Sequence, residues 1–312
     1  MSKIAIVGAG MVGATFAYAL TIRGVASEIL MVDVDMGKAE GETMDLGDGA
    51  SFVKPVSIAS GTYADCAGAN IVVVTAGHSQ KSGESRLDLV QRNLSIFKSI
   101  IPQIERAAPD AVLLVVTNPV DVMTYASVRL SSYPEQRVIG SGTVLDSSRF
   151  RYSLSKHCRV DPKNVHGYIL GEHGDSEVAA WSLTNVGGAR LDDLCPVCSR
   201  GCGAELKETI FREARDAAYR IIGLKGSTYY AIGLALVEIV EAILRDERTI
   251  LPVSSLLHGH LGISDVCLSV PAVVDKSGIS RLLDIRLSAD ELAGLRQSAR
   301  VLRGVLDSVG LE

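Results

Sequence analysis

The chain contains no apolar run that approaches the ~18 consecutive residues of a membrane-spanning helix. It also lacks a block of basic residues. Its 31 Lys and Arg are outnumbered by 36 Asp and Glu, which gives a net charge of −5. We therefore expect neither a membrane nor a nucleic acid as partner. The opening stretch MSKIAIVGAG enters a strand pattern after one lysine, which leaves no room for a signal peptide and favours a cytoplasmic location.

The six cysteines do not supply a complete set of metal ligands. Cys195, Cys198 and Cys202 are closely spaced in CPVCSRGC, but a closed zinc site needs four ligands and no further Cys or His is near them in the sequence. We therefore predict no metal site. Cytosolic dithiols are normally reduced, so we expect no disulfide here, although a thiol-linked role for this cluster stays open. The other cysteines stand singly among apolar residues, as core residues do: Cys66, Cys158 and Cys267.

The first half of the chain alternates short β-branched runs with helical patterns. The runs are KIAIVG, EILMVDV, NIVVVTAG and AVLLVVTNP. They lack strict polar–apolar alternation, which is typical of parallel strands covered by helices on both faces. Longer helical patterns begin near Ser141. The sequence predicts an α/β protein with a doubly wound Rossmann parallel sheet in residues 1–142 and a second, α+β substrate domain in residues 143–312.

A glycine-rich turn follows the first predicted strand and begins a helix. GAGMVG places Gly8, Gly10 and Gly13 at the spacing that binds a dinucleotide pyrophosphate at a helix N-terminus. Asp33 ends the second strand about 20 residues later, where a carboxylate accepts from a ribose 2′-hydroxyl and repels a 2′-phosphate. The pattern therefore predicts a dinucleotide site and favours NAD over NADP. The alternative is that the glycines only turn the chain and bind no cofactor.

Four later stretches carry polar groups that a folded core does not require: SGESR, TNPVD, GTVLDSSRFR and GEHGD. Asp146 and Arg149 are three residues apart on a helical pattern and share one face, whereas Arg151 points elsewhere. His173 is flanked by glycines, and an imidazole titrates near neutrality, as a proton donor and acceptor must. Each feature alone also fits a surface ion pair or a turn.

Taken together, these stretches resemble the lactate/malate dehydrogenase family over the whole chain. The matching segments, in the family's order, are GAGMVGATFAYAL, SGESRLDLVQRN, VTNPVDV, GSGTVLDSSRFR, GEHGDSE and KGSTYY. The resemblance implies an NAD-dependent enzyme of the bacterial type that interconverts a 2-keto acid and a 2-hydroxy acid. It also implies a homotetramer.

The resemblance assigns a role to each matching residue. His173 is implied as the proton donor and acceptor, Asp146 as the carboxylate that fixes its tautomer, Arg149 as the clamp on the substrate carboxylate, and Arg86 as the loop residue that polarises the carbonyl. The other implied substrate contacts are Gln80, Asn118 and Thr228. The implied cofactor contacts, besides the glycines and Asp33, are Val12, Lys38, Tyr63, Gly77, His78, Asn118 and Ser141.

Gln80 suggests which acid is the substrate. Malate enzymes of the family carry arginine at the position of Gln80, and a neutral amide suits a methyl group better than a second carboxylate. We expect pyruvate and L-lactate, although Lys81 keeps malate or another 2-hydroxy acid as the alternative. A non-catalytic NAD-binding redox sensor is a further alternative.

Arg151 and His166 match the residues with which many bacterial members bind fructose 1,6-bisphosphate between subunits. The resemblance therefore implies an allosteric activator. The alternative is that Arg151 pairs with a local acid and that His166 packs in a strand.

Overall fold

The computed structural model describes residues 2–78, 86–194 and 202–311, and within them all side chains except those of Arg86 and Asp192. Strands and helices alternate through the first half. The strands are β1 (Lys3–Val7), β2 (Glu28–Val32), β3 (Ser57–Gly61), β4 (Ile71–Val74), β5 (Val112–Val115) and β6 (Val138–Gly140). The helices between them are α1 (Met11–Arg23), α2 (Met36–Asp48), α3 (Arg86–Ala107) and α4 (Val120–Leu130).

These six strands form a parallel sheet in the order β6-β5-β4-β1-β2-β3. All four residues of β4 are buried, because helices cover both faces of the sheet. The strand order reverses between β4 and β1, and ligands of such sheets bind outside the carboxyl ends of the strands at that point. The predicted doubly wound Rossmann sheet is confirmed.

The second half mixes helices with short and long strands. Its helices are α5 (Val144–Cys158), α6 (Leu191–Leu194), α7 (Ala204–Lys225), α8 (Tyr230–Leu244) and α9 (Ala289–Ser308). Its strands are β7 (Val165–His166), β8 (Ile169–Leu170), β9 (Val178–Ala179), β10 (Asn185–Val186), β11 (Ala189–Arg190), β12 (Thr249–His260), β13 (Ile263–Asp275) and β14 (Gly278–Leu282). Short 3₁₀ helices occupy Ala50–Phe52, Tyr63–Cys66, Glu135–Arg137, Pro162–Asn164 and Trp181–Leu183.

The large sheet continues into the second half. Strands β12, β13 and β14 form an antiparallel meander, and Ser254 of β12 pairs with Gly140 of β6, which gives a nine-stranded sheet. Two apolar clusters contain the buried side chains of this sheet and its covering helices, and a third lies between α5 and α7, around Phe150. Residue 142, where we place the domain boundary, lies in the turn between β6 and α5, while the sheet itself continues across that boundary into β12. The boundary stays a prediction.

The cysteines differ in their surroundings. Cys66 and Cys267 are buried and free, and Cys158 is half-buried beside the third apolar cluster. Cys202 is disulfide-bonded, although we expected reduced thiols in this cluster. That expectation followed from the compartment alone, whereas a disulfide depends on how closely two sulfur atoms approach. Cys195 and Cys198 lie outside the described residues.

Among the described helices, none combines the length and the apolar composition that a bilayer crossing requires. The described residues also contain no group of three or more His, Cys, Asp or Glu side chains arranged as metal ligands.

Candidate active site

The glycine turn between β1 and α1 leaves no room for side chains at two of its glycines. Gly8 has a φ of 113°, and a Cβ there would lie 2.6 Å from the Ala76 nitrogen. A Cβ on Gly13 would lie 1.9 Å from the Gly8 carbonyl oxygen. Gly10 has open space around it, and no described side chain caps the N-terminus of α1. The uncapped N–H groups therefore lie beside an open space, as a pyrophosphate site requires.

Asp33 follows β2 and is hydrogen-bonded to the glycine turn. Its Oδ2 accepts from the Ala9 N–H at 2.6 Å, and its Oδ1 accepts from the Asp35 N–H at 2.9 Å. The next side chain is Val34, which is almost fully exposed and carries no charge. A carboxylate in this place suits the ribose diol of NAD and disfavours the extra phosphate of NADP.

A cavity of about 610 Å³ lies beside the glycine turn. Most of the predicted cofactor residues line it: Gly8, Gly10, Asp33, Lys38, Tyr63, Gly77 and His78. Further residues that no sequence motif indicated line it from the end of β4 and from α3, including Thr75, Ile96, Ile100 and Gln103. Val12, Gly13, Asn118 and Ser141 do not line this cavity.

A second cavity of about 270 Å³ adjoins the first, because His78 lines both. Its lining brings together residues that are far apart in the sequence: Asn118, Asp146, Arg149, His173, Glu177 and Arg215. Of the predicted chemical residues, Asn118, Asp146, Arg149 and His173 therefore meet in one place.

Asp146 holds the two cations of this cavity. Its Oδ2 is 2.5 Å from Nδ1 of His173, and its Oδ1 accepts from Nη1 of Arg149 at 2.8 Å. The Asp146 side chain is 3% exposed, against 12% for Arg149 and 26% for His173. Asp146 and Arg149 reach one another because residues three apart share a helix face, and the buried carboxylate presents the histidine to the more open part of the cavity.

Burial and charge act in opposite directions on these groups. Burial disfavours the imidazolium of His173, but the charge and hydrogen bond of Asp146, together with the charge of Asp121, outweigh burial and raise the pKa of His173 to about 9. Burial would raise the pKa of Asp146, yet His173 and Arg149 hold it below its ordinary value. The cluster therefore consists of an imidazolium, a carboxylate and a guanidinium at neutral pH.

Two buried residues that we did not predict fix this geometry. Asp121 accepts from the main-chain N–H of His173 at 2.7 Å and from the Ser254 hydroxyl at 2.6 Å. Asn93 accepts from the His78 N–H at 2.8 Å and donates to the Asn118 carbonyl at 2.7 Å, which joins the walls of the two cavities. Both residues lie in segments that the family resemblance singled out, and that is the signal that could have found them.

Glu177 is another buried acid beside His173. It is 6% exposed, and its Oε1 has no hydrogen-bond partner among the described residues. Burial raises the pKa of Glu177 to about 9, so this side chain is neutral at pH 7. Arg215 lines the same cavity from α7, where nothing in the sequence pattern distinguishes it from other helix-surface arginines.

The remaining predicted residues lie elsewhere or outside the described part. Gln80 and Lys81 lie outside the described residues, as does the side chain of Arg86, whose main chain begins α3. Thr228 is half-buried between α7 and α8 and lines neither cavity. Arg151 is half-buried on α5, and His166 is exposed on β7.

Comparison with known proteins identifies the family. Residues 2–140 match the lactate/malate dehydrogenase NAD binding domain, and residues 143–310 match the lactate/malate dehydrogenase alpha/beta C-terminal domain. The chain belongs to the lactate/malate dehydrogenase family. The resemblance drawn from the motifs is confirmed, as is an NAD-binding first half.

Individual relatives are similar to this chain along its whole length. L-lactate dehydrogenase 1 of Clostridium acetobutylicum is 52% identical, over 99% of this chain and 98% of that protein. L-lactate dehydrogenase of Thermoanaerobacter pseudethanolicus is 50% identical over 100% of both. The crystal structure of the minor L-lactate dehydrogenase of Enterococcus mundtii in a ligand-bound form superimposes with a TM-score of 0.96 at 44% identity, covering 100% of this chain and 99% of that one.

The glycine turn predicts different outcomes for two alanine substitutions. Gly13→Ala should lower the free energy of unfolding by about 3 kcal/mol, because its Cβ would overlap the Gly8 carbonyl. Gly10→Ala should fold normally but weaken NADH binding by about tenfold or more, because the methyl group occupies the open space at the start of α1. Thermal unfolding and fluorescence titration with NADH measure the two effects. Gly41→Ala, in open space on α2, is the control, and unchanged NADH affinity in Gly10→Ala would contradict this account.

The Asp146 contact predicts the titration of His173. Because the carboxylate stabilises the imidazolium, Asp146→Asn should lower the pKa of His173 from about 9. The imidazolium of the wild type should persist at neutral pH and be lost as the pH rises through about 9. Nuclear magnetic resonance of the ring nitrogens measures this, with Asp110→Asn, at a fully exposed acid, as the control. A His173 titration that is the same in both variants would rule out the coupling.

Proposed function

We propose that this chain is an NAD-dependent L-lactate dehydrogenase that reversibly reduces pyruvate to L-lactate in the cytoplasm. The observation that carries the proposal is the cluster of His173, Asp146 and Arg149 in a cavity that adjoins the glycine-turn cavity at His78. Relatives named L-lactate dehydrogenase, identical at about half of their positions over the full chain, support the choice of substrate. NADH, when bound, supplies the hydride that reduces the carbonyl carbon.

His173 acts as the acid in the reducing direction. Asp146 engages Nδ1, so Nε2 is the ring nitrogen left to meet the substrate. With its pKa at about 9, His173 is protonated at neutral pH, and Nε2–H donates a hydrogen bond to the ketone oxygen. The proton moves to that oxygen as the carbonyl becomes a hydroxyl. In the oxidising direction neutral His173 takes the hydroxyl proton back.

Arg149 binds the substrate carboxylate. Its guanidinium uses Nη1 for Asp146 and keeps further N–H donors for a second, charge-assisted contact in the cavity. This contact turns the ketone of pyruvate toward His173. In the same proposal Arg86 polarises the carbonyl, Gln80 meets the methyl end, and Asn118, which lines this cavity, contacts the substrate. Thr228 lines neither cavity and is assigned no substrate contact.

The substrate assignment is tested by steady-state kinetics. We expect kcat/KM for pyruvate to exceed that for oxaloacetate by about 100-fold or more, because a neutral amide at position 80 leaves the second carboxylate of oxaloacetate unpaired. NADH oxidation with each keto acid measures this ratio. A preference for oxaloacetate would replace the proposal with a malate enzyme.

Two variants test the mechanism in the same assay. Arg149→Lys should raise the KM for pyruvate by about tenfold, since lysine cannot form the two parallel bonds of a guanidinium. His173→Asn should lower kcat by about 100-fold or more while NADH still binds. A protein that senses NAD without catalysis would show no turnover in the wild type and no change in either variant.

We further propose that the enzyme is a homotetramer activated by fructose 1,6-bisphosphate through Arg151 and His166. Burial lowers the pKa of Arg151, and the charge of Glu238, which acts in the opposite direction, does not offset that burial. An anionic ligand would offset that burial. Exposed apolar side chains on α1 and α8 support a subunit interface; they are Tyr18, Ile22, Tyr230 and Leu234.

The activator is tested by adding fructose 1,6-bisphosphate during light scattering and pyruvate kinetics. We expect a shift toward the tetramer and a lower KM for pyruvate in the wild type. Arg151→Gln should abolish both effects, while Lys163→Gln, at an exposed cation in the same half, should keep them. Equal responses of the two variants would remove Arg151 from the site.

A further inference from the structure

Asp121 is a buried carboxylate that contacts neither the substrate nor the cofactor in the proposed function. It lies in the first turn of α4, three residues after Asn118, and is 2% exposed. One carboxylate oxygen accepts from the His173 N–H at 2.7 Å, and the other accepts from the Ser254 hydroxyl at 2.6 Å. A single side chain thus joins the turn that carries Asn118, the His173 loop and strand β12.

This connection matters because two groups must reach one carbonyl. Asn118 belongs to the first half of the chain and is connected through Asn93 to His78, which lines both cavities. His173, the proposed proton donor, belongs to the other half. Catalysis loses rate steeply when reacting groups are misplaced by as little as 1 Å. The charge-assisted hydrogen bond from the His173 N–H to Asp121 fixes the His173 loop relative to the Asn118 turn more firmly than a neutral hydrogen bond would.

We propose that Asp121 is a positioning residue for proton transfer: its ionised carboxylate fixes the His173 main chain relative to the Asn118 turn and stabilises the imidazolium by its charge. The inference rests on the proposed pyruvate reduction by His173. Protonating Asp121 weakens both effects at once, so pyruvate reduction falls at low pH for a reason that is separate from the titration of His173.

The charged and titratable groups around Asp121 agree with such a switch. Burial raises its pKa to about 6, while the hydrogen bonds from Ser254 and His173 and the charge of His173 favour the carboxylate. The charge of Glu172, which lies in the same loop as His173, favours the protonated form of Asp121. Cys267 of β13 also faces this carboxylate, but burial holds the pKa of its thiol well above its ordinary value, so it stays neutral.

Asp121→Asn separates charge from shape. The amide is nearly isosteric, and its oxygen can accept from the His173 N–H while its NH₂ donates to the Ser254 oxygen, so the fold should be kept. The variant therefore imitates the protonated acid at every pH. We expect kcat for pyruvate reduction to fall about fivefold at pH 7.5, the difference between a charge-assisted and a neutral hydrogen bond. The KM for NADH should not change, because Asp121 does not line the cofactor cavity.

The pH profile from 5 to 10 is the decisive readout. The wild type should lose kcat/KM for pyruvate below about pH 6, through Asp121, and again above about pH 9, through His173. Asp121→Asn should abolish the acid limb and move the alkaline limb to lower pH, because His173 loses a stabilising charge. A purely structural role would lower activity without moving either limb.

Ser254→Ala and Ser255→Ala form the matched pair. Ser254 stabilises the carboxylate, so its removal should raise the pKa of Asp121 and move the acid limb to higher pH. Ser255 is buried on the same strand and its hydroxyl has no described partner, so its removal should leave both limbs in place. If Glu172 caused the acid limb, Ser254→Ala would not shift it.

The outcomes separate this inference from the proposed function. A wild type that does not reduce pyruvate defeats the proposed function itself. A wild type that reduces pyruvate, with Asp121→Asn and Ser254→Ala both retaining its two limbs, overturns the role of Asp121 alone. Should Asp121→Asn fail to fold by circular dichroism, the direction of the Ser254→Ala shift decides the question.

Discussion

The site depends on one buried carboxylate that is shared between two cations. Asp146 contacts the His173 ring with one oxygen and the Arg149 guanidinium with the other. Two cations this close to one another would be costly in a buried place without that anion, and breaking a buried ion pair costs about 3–5 kcal/mol. The three charges sum to one positive charge, which is the complement of a monocarboxylate substrate. The same contacts thus orient the His173 ring and leave one positive charge to attract an anionic ligand.

The fold places this carboxylate where a reducing cofactor can be reached. The parallel sheet ends at β6, and α5, which carries Asp146 and Arg149, begins four residues after that strand. The glycine turn and the Asn118 turn follow β1 and β5, so both lie at the carboxyl edge of the sheet. Strand β12 then returns to pair with β6, which packs the second half against this edge. Side chains from both halves, including Asn118 and His173, therefore line one cavity.

Local patterns in the sequence were sufficient for the elements and for part of the site. The apolar runs predict β1, β2, β4 and β5, and the spacing of Asp146 and Arg149 predicts their shared face, because both are short-range properties. Asp121 could not be found this way, since its partners are 52 and 133 residues away in the chain. The same holds for Arg215, which reaches the cavity only through the packing of α7. The pairing of β12 with β6 has no local signal either, because it joins two strands more than a hundred residues apart.

Three of the buried acids around His173 show why residue type alone does not give the charge of a site. Asp146, Asp121 and Glu177 are each no more than 6% exposed, so burial disfavours ionisation in all of them. Asp146 has two cationic partners and a pKa below its ordinary value, whereas Asp121 has two neutral donors and a pKa of about 6. Glu177 has one oxygen with no described partner, and its pKa rises to about 9. Since burial is nearly equal, the donors aimed at each carboxyl decide its charge. At neutral pH Asp146 and Asp121 are therefore anions beside the imidazolium, while the Glu177 side chain in the cavity lining is neutral.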